Sequence, residues 1–217
     1  MVKKLVCLSV AICLVQAVYA NRSGVAAGAE SISVKRLEPL HIEQGAAYAA
    51  LGEISQKAHV AIGVEAIQPN EEPTIIIEFP GGTVADLLNA FIAQAPDYEW
   101  EENNGAIHVF RKNARVSLVD VQMHYPGASR KTRHEIWNDL AKRPEISTWL
   151  NSAHCTRQEY FQSREFKDNN DPISIAAGDR TLKQLLDEVA IKSGDNYWAV
   201  LQAPPSRGSC HIAIILW

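Results

Sequence analysis

An internal repeat constrains this chain more than any single motif. The stretch TIIIEFPGGTVADLLNAFIAQAPDYEW, residues 74–100, aligns without gaps with PISIAAGDRTLKQLLDEVAIKSGDNYW, residues 172–198. At the constant offset of 98, Ile75 meets Ile173, Ile77 meets Ile175, Thr83 meets Thr181, Leu87 and Leu88 meet Leu185 and Leu186, and Trp100 meets Trp198. Each copy reads as strand, turn, helix, strand. Alternation at Ile75, Ile77 and Phe79 gives a strand one apolar face, and Pro80, Gly81 and Gly82 end it. Thr83 with Asp86, and Thr181 with Gln184, have the spacing of a capping box. Val84, Leu87, Leu88, Phe91 and Ile92 then recur at helical spacing, as do Leu182, Leu185, Leu186, Val189 and Ala190. One stripe of each helix must be buried. Pro96 and Gly194 stop the helices.

Around this repeat the first copy extends in both directions. Residues 97–110, DYEWEENNGAIHVF, read as a hairpin turning at 103–105, with Ile107 and Val109 on one face. Upstream, 41–43 close a short strand, 45–58 form a helix with Ala47, Leu51, Ile54 and Ala58 inward, and Val60, Ile62 and Val64 lie on a strand. The first unit is therefore βαββαββ. In the second copy, CHIAIILW at the end of the chain is the counterpart of AIHVF. Its front half matches less cleanly: VSLVDVQMHY is the candidate strand, and SRKTRHEIWNDLAKR the candidate helix, capped near Ser129 and stopped by Pro144. CTRQEYFQSREFKDNND, residues 155–171, is too polar for a buried strand, so the second copy reads as degenerate. The class expected is α+β, built of two small strand-helix-strand units.

These hydrophobic spacings carry a family resemblance. GAAYAALGEISQKAHVAIGVEAI followed by TIIIEFPGGTVADLLNAFIAQAPDYEWEENNGAIHVF resembles the secretin and TonB N-terminus short (STN) domain, with Leu51, Ile54, Val60, Ile62, Val64, Thr83, Leu87, Leu88, Phe91, Tyr98 and Ile107 at the family's positions. It covers the first unit well and residues 172–217 in part. The resemblance implies a small periplasmic α+β domain that docks on other envelope proteins, in secretin or outer-membrane receptor assemblies, and it carries no catalytic residues. Such domains normally precede a channel or receptor, whereas this sequence stops at Trp217, so any membrane assembly is expected from another polypeptide.

The beginning of the chain supplies an address. MVKKLVCLSVAICLVQAVYA has two lysines, an apolar run from Leu5 to Val15, and small residues Val18 and Ala20 where a signal peptidase reads. A spanning helix needs about 20 apolar residues, and Gln16 interrupts this run. The expected organisation is a signal peptide at 1–20, cleaved near Ala20, a flexible segment at 21–36, an STN-like domain at 37–111 and a second, modified unit at 112–217. The exported chain is expected to have no transmembrane segment, in the periplasm or outside the cell.

Charge and cysteine usage narrow the functional classes. Residues 21–110 hold 4 basic and 13 acidic residues, net −9, whereas 111–217 hold 15 and 12, net +3. The asymmetry is either a partner-binding signature or an ordinary solvated surface. Nucleic acid is not expected for an exported, net acidic chain. Cys7 and Cys13 leave with the signal, so Cys155 and Cys210 remain, and an oxidising compartment favours a disulfide between them over two unlinked thiols. A four-ligand zinc site from His154, Cys155, Cys210 and His211 fails because neighbours on a strand point to opposite faces. HEIWN at 134–138 has Asn138 where a zinc-protease helix needs its second histidine. Glu99 and Glu101 share a strand face beside Glu102 and read as solvated carboxylates rather than an acid-base pair. Trp100 and Trp198 are assigned to core packing.

The expectation is a non-catalytic protein-association module of the bacterial cell envelope, with no cofactor, no metal, no catalytic residues and binding residues unassigned. A secreted or periplasmic small-ligand-binding protein is the alternative, and an enzyme of unrecognised class ranks third.

Overall fold

A computed structural model describes residues 31–158, 171–194, 196–204 and 208–216. Residues 1–20, expected as a signal peptide, and 21–30 of the segment expected to be flexible lie outside the described residues, as do 159–170 of the polar stretch. The fold is α+β.

The first copy runs β1 (Arg36–Leu37), β2 (Leu40–Gln44), α1 (Ala47–Ala58), β3 (Ile62–Ile67), β4 (Ile75–Phe79), β5 (Gly82–Thr83), α2 (Val84–Gln94), β6 (Tyr98–Asn103) and β7 (Ala106–Arg111). The second runs β8 (Gln122–Tyr125), β9 (Ala128–Lys131), α3 (Arg133–Ala141), α4 (Pro144–Ser152), β10 (Cys155–Gln158), β11 (Ile173–Ile175), β12 (Gly178–Thr181), α5 (Leu182–Ser193), β13 (Tyr197–Gln202) and β14 (Cys210–Leu216).

The local signals act as their chemistry dictates. Thr83 Oγ1 accepts from the Asp86 N–H at 3.1 Å while the Asp86 carboxylate accepts from the Thr83 N–H at 2.8 Å. In α5, Thr181 and Gln184 make the same reciprocal pair at 3.1 and 2.9 Å. Each box satisfies donors that the first turn of a helix leaves unpaired. Val84, Leu87, Leu88 and Phe91 are buried along α2, and Leu182, Leu185, Leu186 and Val189 along α5. Asn104 and Gly105, at φ 52° and 79°, supply the two positive-φ positions of a tight hairpin turn between β6 and β7.

The front half of the second copy departs from the sequence reading in three places. The cap of α3 is Thr132, not a residue near Ser129: Thr132 has Glu135 three residues on, and the two exchange hydrogen bonds at 3.2 and 2.7 Å. Ser129 instead lies in β9, which pairs with β11. Pro144 does more than stop a helix. It opens α4, where its fixed φ suits the first turn and its missing N–H costs nothing. Finally, Cys155–Gln158 do form a strand despite their polarity. They lie at the end of the sheet, where one side of the strand needs no burial.

With β10 in place the second copy is complete. In the first copy β1 pairs with β5 and β2 with β4, both antiparallel. In the second β8 pairs with β12 and β9 with β11, also antiparallel. The remaining strands form one sheet of order β10-β14-β13-β3-β7-β6. In the first copy β3 runs parallel to β7, and β7 antiparallel to β6. In the second, β10 runs parallel to β14, and β14 antiparallel to β13. The two triplets follow the same order across the sheet with every strand direction reversed. A half-turn about the axis crossing the strands, with a shift of three strands or about 14 Å, relates them.

That half-turn also exchanges the faces of the sheet. Helices α1 and α2 bury Ile62, Val64, Ala66, Ile107 and Val109 on one side, and α3, α4 and α5 bury Trp198, Val200, Ile212 and Ile214 on the other. Strands covered on both faces read as near-continuous apolar runs, and β13 is buried from Tyr197 through Leu201.

Candidate functional site

The copies meet where β13 lies parallel to β3, from Tyr197 beside Ile62 to Gln202 beside Ile67. This is an edge of one unit added to an edge of its neighbour, and helices from both units seal it. Tyr197 projects under α1, where its hydroxyl donates to the carbonyl of Tyr48 at 2.7 Å. Burial pushes that hydroxyl well above its usual range, which keeps it a neutral donor. On the opposite face Trp198 lies directly across Gly63. Only a glycine fits there, because a Cβ would stand 2.2 Å from the indole ring.

The second face of the first copy carries Glu65 and His108, buried at 0% and 1% exposure inside otherwise apolar strands. Helix α5 of the second copy brings the partners. Asp187 receives the Trp198 indole N–H at 2.8 Å, and both its oxygens lie 3.1 Å from His108 Nε2. Glu65 accepts from the Arg115 guanidinium at 3.2 and 3.0 Å, while Lys183 Nζ stands 3.2 Å from its other oxygen without the alignment of a hydrogen bond. Arg115 also stacks 4.0 Å over the Phe110 ring. Two carboxylates, one from each copy, thus find partners across the junction: Glu65 meets Arg115 and Lys183, and Asp187 meets His108.

A histidine held by an aspartate has the outline of a general base and its orienting partner. Here Asp187 is shared with an indole, His108 Nδ1 is buried with no hydrogen bond, and both side chains are buried between α5 and the sheet. The arrangement joins two units. Substituting Asp187→Asn keeps the shape but replaces one of the two oxygens that meet His108 and Trp198 by an N–H donor, and is expected to cost about 1 to 2 kcal/mol in denaturant unfolding. An unchanged midpoint would show that the aspartate contributes nothing to the junction.

Sequence reasoning placed the disulfide pair and missed this cluster. Cys155 and Cys210 face one another across β10 and β14, with Cα atoms 4.4 Å apart, and are bonded. His211, beside Cys210, bonds to Thr156 and Ser209 at 2.7 Å each. Glu99 and Glu101 are exposed along β6, and Trp100 packs against the first core with its indole N–H on Asn89 at 3.2 Å. His134 and Glu135 lie exposed in the first turn of α3. Among the described residues no three His, Cys, Asp or Glu side chains group as metal ligands, and no helix is long and apolar enough to cross a membrane. The signal for the missed cluster was available in principle: Glu65 and His108 each interrupt a strand that is apolar on both sides of them.

The ends of the sheet are the counterparts of the two strands at this junction. β6 corresponds to β13 and β10 to β3, and no described strand pairs with the outer side of either. No protein-family model matches the chain, and no curated protein or solved structure matches it.

Proposed function

We propose that this is an exported, non-catalytic protein-association module of the bacterial cell envelope, made of two STN-like units and acting through the edges of its sheet. The observation that carries the reading is the β13–β3 junction, where one unit docks on a second of the same topology by strand addition, a recurrent mode of protein recognition. Main-chain hydrogen bonds provide the affinity in that mode, and flanking side chains the specificity. The disulfide in β10, the signal-like start of the sequence and the family resemblance of the first unit support the address and the class.

The test is photo-crosslinking in the source cell envelope from a reactive residue placed at Glu101, followed by native purification. A defined crosslinked protein at that position is the expected result. Recovery of free monomer only, together with a small molecule that raises the melting temperature, would replace this reading with that of a ligand-binding protein.

A further inference from the structure

We infer that Ser209 is an activated nucleophile, deprotonated by His211 as it attacks the carbonyl carbon of a small activated acyl donor, an ester or thioester. The reaction does not depend on association. Each chain takes up one acyl group, as a modification of the protein rather than a catalytic cycle.

Two hydroxyls and an imidazole form one directed chain of hydrogen bonds where β10 lies beside β14. Thr156 Oγ1 donates to the Cys210 carbonyl at 3.3 Å. With its proton spent there, the same oxygen accepts from the Nδ1–H of His211 at 2.7 Å. That bond fixes the tautomer and leaves Nε2 as the acceptor. Ser209 Oγ lies 2.7 Å from Nε2 and donates to it. Nucleophile, base and orienting group thus stand in the order by which a hydroxyl is activated.

The fold holds these groups in place and leaves them accessible. Cys155 and Cys210 are register partners joined by the disulfide, and Thr156 and His211 are the next pair along the two strands. A covalent tie one residue away therefore sets the imidazole against its orienting group. Gly208, in the left-handed region at φ 71°, turns the chain just before Ser209, and a Cβ on it would meet nothing within 4 Å. Ser209 itself is exposed, so an acyl carbon can reach Oγ from solvent. Other serines and histidines are engaged differently. Ser147 and Ser152 are also exposed, but their hydroxyls donate to the carbonyls of Arg143 and Trp149. The rings of His41, His108 and His124 meet carboxylates.

In the step itself, Oγ bonds to the carbonyl carbon while its proton passes to Nε2. The bond from that carbon to the leaving oxygen or sulfur then breaks, and Nε2 returns the proton to the leaving group. The imidazole ends as it began, and Ser209 carries an ester.

Treating the disulfide-bonded protein with p-nitrophenyl acetate, followed by intact mass and peptide mapping, tests this. One acetyl group on Ser209, removed by hydroxylamine as an ester is, is the expected result. His211→Gln is expected to slow its formation by on the order of 100-fold. Thr156→Val is expected to slow it as well, whereas Thr156→Ser, which keeps the hydroxyl, restores it. Circular dichroism and melting temperature report an intact fold in each variant. An unmodified Ser209, a rate unchanged in His211→Gln, or acetylation of Ser147 or Ser152 as fast as that of Ser209 would each overturn the inference. A fast phase of nitrophenolate release that persists in Ser209→Ala would assign the attack to the imidazole and overturn it too.

Discussion

Removing the bond between Cys155 and Cys210, by reduction or as Cys155→Ser/Cys210→Ser, is expected to lower the unfolding free energy by about 4 kcal/mol. The two residues are 55 apart in sequence, and a bond closing so long a loop restricts the unfolded chain strongly. In the native state the same bond fastens β10, which has only four residues and, among the described residues, one strand neighbour. Two readouts separate these contributions. The urea midpoint of oxidised against reduced protein reports the global loss, and hydrogen exchange at Thr156 and Arg157 reports whether β10 frays before the rest of the sheet. A midpoint insensitive to reduction would refute the structural role of the bond.

Substituting Gly63 is expected to be among the most damaging single changes in the sheet. A methyl group there would stand 2.2 and 2.3 Å from Trp198 ring carbons and 2.8 Å from its nitrogen. The ring has nowhere to retreat, being 1% exposed and tied by its N–H to Asp187. Overpacking commonly costs about 1 to 3 kcal/mol and more where the neighbour is fixed, so Gly63→Ala is expected to lose about 3 kcal/mol and Gly63→Val more. The mechanism predicts its own rescue. Trp198→Val alone should cost about 3 to 5 kcal/mol through the cavity it leaves, yet the double variant Gly63→Val/Trp198→Val should be more stable than the sum of the two by about 1 to 3 kcal/mol. Strict additivity in that cycle would mean that the glycine and the tryptophan do not compete for the same space.

Much of the first copy was legible because its signals are local. Capping boxes at Thr83 and Thr181, the apolar stripes that follow them and the Asn104–Gly105 turn are each decided within a few residues. Two kinds of feature were not. β10 looks unlike a strand because polarity was judged against a buried position, and a sheet edge imposes no such demand. The cluster of Glu65, His108, Lys183 and Asp187 joins residues as far as 122 positions apart, and no periodicity reports on such a meeting. The junction itself did leave a trace. YWAVL, buried at every position, lacks the alternation of β4, whose Ile76 and Glu78 face solvent between buried Ile75, Ile77 and Phe79. An unbroken apolar run is the mark of a strand covered twice, and here the second cover comes from the other copy.

The place of β3 at the centre of the sheet also fixes an order of events in folding. Ile62 pairs with Ile107 on one side and with Tyr197 on the other, so one neighbour arrives long before the second. Contacts close in sequence form first because they close the smaller loop. The first copy therefore assembles with one side of β3 vacant, and the vacancy lasts until residues 197–202 reach it. Whichever chain delivers those residues first completes the sheet. In a dilute solution that is the same molecule; as concentration rises another molecule competes for the same place, which is the general route to domain exchange. The seam that makes the two copies one sheet is thus the point at which two nascent molecules can become entangled.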